Sequence, residues 1–287
     1  MLNEWTEEGT TEYAAPCVLL LGGFDGLHAG HKKLLDRAKA YGLPVGVMTI
    51  LGGKGQALFT LSERREIFAR AGADFFFACK FTEAFKNTDK EEFLSALLRR
   101  YNVKAFVCGE DFCFGRGAAG TPEFIRGFTG IPVHALDVLR VGGKKVSATT
   151  VKEYLAAGAV GQANELLLFP FFLRGRVEEG RHVGHTYGFP TANLTYPDEK
   201  FPLKEGVYAV HADLEGKTYR GIANFGPCPT FGVTYRKAEA YFDGFCGDLY
   251  GKTIDLVFDG YLRDIRKFPD KAALAAQLQE DIMRVRE

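Results

Sequence analysis

Leu19-Leu20-Leu21-Gly22-Gly23-Phe24-Asp25-Gly26-Leu27-His28-Ala29-Gly30-His31 runs from an apolar strand through a glycine-rich turn into a helix. Glycines in such a turn let the backbone approach a ligand closely, and the first helical turn presents unpaired N–H groups to an anion. Outward from this stretch, short apolar runs at 17–21, 44–50, 74–78, 104–108 and 132–136 alternate with helical patterns at 31–41, 62–71 and 90–101. Strands alternating with helices predict a parallel sheet covered by helices, an α/β arrangement in which ligands bind beyond the carboxyl ends of the strands. A last helix at 149–157 closes this half.

The second half has a different texture. Residues 158–169 read as a connection, because the helical pattern stops at Gly158 and a strand-rich style begins near Phe171. Segments 207–212, 218–223, 238–242 and 253–258 are short, rich in Val, Ile, Tyr and Phe, and bounded by Gly, Asp and Pro, as in a small antiparallel β-barrel. Leu274, Leu278, Ile282 and Val285 then fall on one face of a C-terminal helix. The expected organisation is therefore 1–157 as an α/β domain, 158–169 as a linker and 170–287 as the barrel with its helix.

Composition agrees with two packed cores. The 287 residues exceed the usual single-domain size, 46% are hydrophobic, and 36 basic side chains balance 36 acidic ones. A balanced charge gives no field for nucleic acid or an anionic membrane, so neither is expected as a partner. The six cysteines form no C-x-x-C pair, which disfavours a zinc knuckle or a redox dithiol and favours reduced, mostly buried thiols. The acidic first residues lack the pattern of a signal peptide, and no apolar run approaches the ~20 residues that span a bilayer. A cytoplasmic location is expected; oligomeric state leaves no mark in the sequence.

The pair His28 and His31 can point together at phosphates, donating hydrogen bonds and, when protonated, positive charge. Structural histidines or a zinc pair are the competing readings, though no third Cys or His ligand follows nearby. H-x-G-H after a strand and glycine turn resembles the nucleotidyltransferase superfamily, whose members transfer a nucleotidyl group from a nucleoside triphosphate and release pyrophosphate. Two further segments, Gly109-Glu110-Asp111-Phe112-Cys113-Phe114-Gly115 and Ser147-Ala148-Thr149-Thr150-Val151-Lys152, narrow the likeness. They resemble the G-E-[ND]-F-x-F-G and S-S-T-x-x-R segments of bacterial bifunctional riboflavin kinase/FAD synthetases. In that family the first borders the flavin and the second grips the triphosphate. The resemblance thus implies a Rossmann-like nucleotidyltransferase domain, with Gly22, Phe24, Asp25, Gly30, Ser147, Thr149 and Lys152 around ATP and Asp111 and Phe112 at the flavin.

In the barrel half, Gly184-His185-Thr186-Tyr187-Gly188-Phe189-Pro190-Thr191-Ala192-Asn193 contains G-F-P-T-A-N, which resembles the riboflavin kinase signature. Pro190 stiffens the loop, and the Thr191 hydroxyl and Asn193 carboxamide are neutral oxygens suited to Mg²⁺ bridging ATP phosphates; a plain turn could use the same residues. Glu239 matches the family's strand-borne glutamate, the general base for the riboflavin 5′-hydroxyl, and Arg263 falls in a family segment assigned to the flavin. Gly184 is placed with the ATP phosphates. The chain departs from the family at Thr49-Ile50-Leu51-Gly52-Gly53-Lys54, where T-F-x-P-H-P is usual, and at Ala148 and Lys152, which replace a serine and an arginine. The reading is a bifunctional enzyme with ATP as co-substrate, Mg²⁺ as cofactor, and riboflavin, FMN and FAD as substrates or products. A riboflavin kinase with a degenerate adenylyltransferase half and a non-catalytic flavin-binding regulator are its rivals.

Overall fold

The computed structural model describes residues 13–53, 55–178, 191–230 and 233–286. It divides into two compact units, Met1–Ala148 and Thr149–Glu287.

The first unit is built on five parallel strands: β1 (Tyr13–Leu21), β2 (Val45–Leu51), β3 (Phe75–Lys80), β4 (Tyr101–Gly109) and β5 (Val133–Leu136). Their order in the sheet is β3-β2-β1-β4-β5, so the chain runs outward from β1 to β3 and then returns to β4 on the other side of β1. That reversal beside β1 is the place where an open α/β sheet leaves a crevice. Cys17 to Leu21 are fully enclosed, as a strand covered on both faces requires, which is why five apolar residues run here without alternation. The helix Ala29–Lys39 follows β1. The helix Leu61–Arg70 opens with a capping box in which the Thr60 hydroxyl accepts from the Glu63 N–H and the Glu63 carboxylate accepts from the Thr60 N–H. A small hairpin, β6 (Arg140–Val141) with β7 (Lys144–Lys145), was not legible in the pattern.

The second unit is a six-stranded antiparallel sheet of β8 (Phe172–Arg176), β9 (Thr191–Tyr196), β10 (Gly206–Leu214), β11 (Lys217–Thr230), β12 (Val233–Phe242) and β13 (Thr253–Arg263), in the order β8-β13-β10-β11-β12-β9. Just beyond β8, the Glu178 N–H donates to the Asn193 carbonyl at 2.9 Å and forms a bridge to β9. Together with the Thr195 hydroxyl, which donates to the Glu178 carboxylate at 3.1 Å, this bridge joins the two edge strands and closes the sheet into a near-barrel. Ala192, Leu194, Phe225, Ala238 and Phe258 point inward and are buried; the intervening residues face out, as the two-residue period of a strand dictates. The segment 158–169, expected as a connection, contains the helix Val160–Leu166. Its Asn164 donates to the Phe258 carbonyl and accepts from the Phe171 N–H, both at 2.8 Å, which anchors it on β13. Tertiary hydrogen bonding outweighs the short helical signal left by its glycine and alanines.

The C-terminal helix Lys271–Arg286 lays Ile282, Leu278 and Val285 against Val207 and Ile222 of the barrel. Its position is fixed by a buried ion pair. The Arg263 guanidinium donates to both Asp281 carboxylate oxygens, 2.8 Å from Nη2 to Oδ2, while Gln277 donates to the same carboxylate. Asp281 is completely enclosed. Breaking such a pair from one side leaves an uncompensated charge, at a cost of roughly 3–5 kcal/mol, whereas replacing both partners by apolar residues is close to neutral. Asp281→Leu should therefore lower the urea-unfolding free energy of the second unit by about 3 kcal/mol or more, and Arg263→Met/Asp281→Leu should recover most of that loss.

Candidate active sites

The turn after β1 carries the first site. Register places Leu21 beside Cys108 of β4, so the loops beginning at Gly22 and Gly109 leave the sheet side by side at its switch point. Phe24 adopts a left-handed backbone, φ 40°, which costs a bulky residue on the order of 1 kcal/mol. Its ring is buried, edge-on to Phe68 at 5.5 Å and 4.7 Å from the His31 ring. A Cβ on Gly22 would come within 2.9 Å of that same ring, and one on Gly30 within 3.2 Å of the His28 imidazole. Packing around Phe24 therefore disfavours any side chain at Gly22, and a side chain at Gly30 would press on His28.

His28 is the N-cap of the helix Ala29–Lys39; its Nδ1 accepts from the His31 N–H at 3.2 Å. Nδ1 therefore carries no proton, and in the neutral ring the proton sits on Nε2, a donor available to a ligand. His31 is oriented the other way round, with Nδ1 2.8 Å from the Gly26 carbonyl; an acceptor there requires the Nδ1–H tautomer, which leaves Nε2 a lone pair. The two rings stack at 3.6 Å. Burial, reinforced by neighbouring His31, pushes the His28 imidazole down to about 2, and burial pushes His31 down to about 4. Both are neutral at pH 7 until an anion arrives to favour the charged form. Among the described residues no three His, Cys, Asp or Glu side chains gather as a metal site, so the zinc reading of this pair lacks its remaining ligands.

Asp25 is held by the protein itself. Its Oδ1 accepts from the Leu58 N–H and from Arg64 Nη2, each at 2.8 Å. Arg64 is almost wholly enclosed and also donates to the Phe59 and Ile50 carbonyls and to Thr49 Oγ1, while the Thr49 hydroxyl donates to the Gly23 carbonyl at 2.7 Å. Arg64 and Thr49 were missed in the sequence, where one arginine inside Glu63-Arg64-Arg65 looks like an exposed helix face. On the β4 side, Asp111 pairs with Lys145 at 2.5 Å, and Phe112 stacks on Phe114 at 5.7 Å. Phe114 belongs to the core, against Phe93. Ser147 directly precedes the helix Ala148–Ala156, and Thr149 and Lys152 lie on that helix, in the second unit.

The second cluster lies on the outer face of the barrel wall. Asn193 on β9 stands directly opposite Glu239 on β12, and Thr191 opposite Tyr241. The Thr191 hydroxyl donates to Glu239 Oε1 at 2.9 Å, and Lys237 Nζ donates to Asn193 Oδ1 at 3.1 Å. Thr191 also lines a cavity of about 280 Å³ with Phe245, Cys246, Leu249 and Tyr250. Gly184 and the Gly188-Phe189-Pro190 part of the motif lie outside the described residues. Arg263 is placed in the helix clamp, its guanidinium engaged by Asp281 and the Asp264 carbonyl.

A glycine and histidine turn at the switch point of a parallel sheet and a threonine–asparagine–glutamate cluster on a small barrel are the two candidate sites, an arrangement suited to a two-site transferase. Comparison with known proteins agrees. A riboflavin kinase family model matches residues 167–287, and an FAD synthetase model matches residues 10–150. The bifunctional riboflavin kinase/FMN adenylyltransferase of Escherichia coli (strain K12) is 34% identical over 94% of this chain and 92% of its own length; that of Bacillus subtilis is 31% identical over the same shares. A crystal structure described as a macrolide-efflux protein from Streptococcus pneumoniae is similar with a TM-score of 0.84 and 28% identity, over 96% of this chain and 99% of that one. No helix among the described residues is long and apolar enough to cross a membrane. The chain belongs to the bifunctional riboflavin kinase/FMN adenylyltransferase family, transferases that combine a kinase and a nucleotidyltransferase in FMN and FAD biosynthesis.

The depressed histidines couple folding to pH. On unfolding they regain ordinary values near 6.5, so below that pH the unfolded chain binds protons that the folded one refuses. Stability should fall as pH drops from 6.5 towards 4, by about 1.4 kcal/mol per pH unit for each histidine. Urea denaturation of the first unit at several pH values should show a shallower slope for His31→Asn, by close to one proton's share.

Proposed function

We propose that the histidine turn performs the adenylyl transfer to FMN and the barrel cluster performs the phosphorylation of riboflavin, with the residue roles that follow. At the turn, the His28 Nε2–H donates to the α-phosphate of ATP. His31 joins as a second donor once the triphosphate's charge favours its protonation. Asp25 takes no direct part; with Arg64 it holds the loop whose backbone N–H groups face the phosphates. Ser147, Thr149 and Lys152 hold the departing pyrophosphate, and Asp111 and Phe112 border the flavin. No covalent intermediate is needed, because in-line positioning and charge stabilisation suffice for this transfer.

At the barrel, Glu239 takes the proton of the riboflavin 5′-hydroxyl. Its Oε1 is fixed by Thr191, and among the described residues no donor meets Oε2, which leaves that oxygen for the substrate. The donor chemistry fits Mg²⁺: the Thr191 hydroxyl and Asn193 carboxamide are hard, neutral oxygens on one strand face, and Mg²⁺ takes few protein ligands when phosphates and water complete its shell. Bound there it would neutralise the triphosphate. The apolar and aromatic walls beside Thr191, Phe245, Leu249 and Tyr250, suit a flat ring system. The observation that carries the kinase assignment is the convergence of Thr191, Asn193 and Glu239 on adjacent strands with the carboxylate hydrogen-bonded in place.

Incubation with riboflavin, ATP and MgCl₂, followed by chromatographic separation of the flavins, tests both sites; a parallel reaction starts from FMN. Formation of FMN and then FAD supports the assignment, and FMN alone refutes the adenylyltransfer role of the histidine turn. Glu239→Gln should lower the riboflavin phosphorylation rate by roughly 10²–10⁴-fold while leaving conversion of FMN to FAD intact. His28→Asn should do the reverse, lowering FAD formation by about 10²–10³-fold, the value of one lost transition-state donor.

A further inference from the structure

Lys237 sits on the same outward face of β12 as Glu239, two residues before it, and none of the roles above uses it. Its ammonium has two carboxylates on neighbouring positions and is paired with neither. Glu239 receives the Thr191 hydroxyl, and Glu178 receives the hydroxyl of Thr195, the residue opposite Lys237 in the β9–β12 ladder. Among the described residues the hydrogen-bond partner of Lys237 is the neutral carboxamide of Asn193, at 3.1 Å. An ammonium is a compact, strongly hydrated charge that ordinarily seeks an anion or water. Here it is held beside the oxygen that the kinase reading gives to the metal. Asn193 is itself 5% exposed, so its Oδ1 has little room to serve two cations together.

Resting on that kinase reading, we infer that Lys237 is a resident cation of the phosphoryl-transfer site: it occupies Asn193 Oδ1 in the absence of nucleotide, gives that oxygen up to the divalent metal, and then faces the incoming triphosphate. The inference follows from like charge. A metal dication and an ammonium on one carboxamide oxygen repel each other and compete for the same lone pairs. Release of the ammonium is therefore part of metal binding and weakens it. Once displaced, the four-carbon stem leaves the charge on the face where the phosphates must lie, so metal and triphosphate arrive together more readily than the metal alone. Lys237 acts as a positioning residue through Asn193 and not as a group that touches the transferred atoms in the resting site.

Binding of Mn²⁺, a paramagnetic stand-in for Mg²⁺, to the full chain without nucleotide can be followed by electron paramagnetic resonance. Lys237→Met keeps the length of the side chain and removes the charge. It should tighten Mn²⁺ binding about three- to tenfold without nucleotide and by less once ADP is present, while Lys237→Arg should stay close to the parent chain. Unchanged or weaker Mn²⁺ binding in Lys237→Met, with an unaltered thermal unfolding curve, overturns the inference. Asn193→Ala separates this from the underlying reading. If that variant binds Mn²⁺ as the parent does, the metal is not held by Asn193 and the site assignment fails; if it loses Mn²⁺ and Lys237→Met is unchanged, only the role of Lys237 fails.

Discussion

The buried guanidinium of Arg64 holds the first site in shape. One side chain reaches four acceptors: the Asp25 carboxylate, Thr49 Oγ1, and the carbonyls of Ile50 and Phe59. Through Asp25 and Thr49 it fastens the turn after β1 to the segment after β2, and that turn carries a left-handed phenylalanine that would otherwise relax. The histidines depend on it at one remove. His31 is oriented by the carbonyl of Gly26, the residue next to Asp25, and His28 caps the helix that begins two residues after the turn ends. A charge buried at this cost suits a loop that must keep one geometry, here that of the proposed phosphate site.

In the proposed roles the two sites solve the same problem, holding a triphosphate, with different materials. The sheet unit relies on backbone: a switch point, a helix start and two imidazoles kept neutral by burial until the ligand supplies the charge that protonates them. The barrel relies on side chains set out by strand register, so that Thr191, Asn193 and Glu239 converge because antiparallel pairing places residues of β9 and β12 opposite one another. The first arrangement tolerates little change in the turn, since glycine Cβ atoms would strike Phe24 and press on His28. The second is fixed by register, and a one-residue slip would carry all three side chains to the other face.

Much of this was legible from the sequence, and for physical reasons. The parallel strands announced themselves because burial on both faces forces uninterrupted apolar runs, and the H-x-G-H spacing needs its turn, so motif and context reinforced each other. The strand Thr191–Tyr196 was hidden by its own function: Thr191 and Asn193 occupy the outward positions, and only Ala192, Leu194 and Tyr196 mark the core. The short helix Pro122–Thr129 had a Thr121 cap, proline in its first turn and a left-handed Gly130 at its end, yet it is too short to show a period. Arg64, Lys237 and Asp281 could not be singled out, because the sequence shows a charged residue among charged residues and does not show what lies across from it. Arg263 belongs with them, since family likeness placed it by the flavin and gave no sign of its buried pairing with Asp281.

Closure of the barrel at Glu178 and Asn193 ties catalysis to the mechanics of the fold. The backbone carbonyl of Asn193 accepts the hydrogen bond that seals the seam between the two edge strands, and its side chain is the one assigned to the metal. The seam of the sheet and the proposed metal-binding face thus meet at one residue. Breathing of the seam would displace the proposed ligand group directly, with no relay through the core. Filling the site from outside would in turn brace the seam, so amide exchange at Glu178 would slow when nucleotide and metal are bound, and a backbone hydrogen bond would register occupancy of the proposed kinase site.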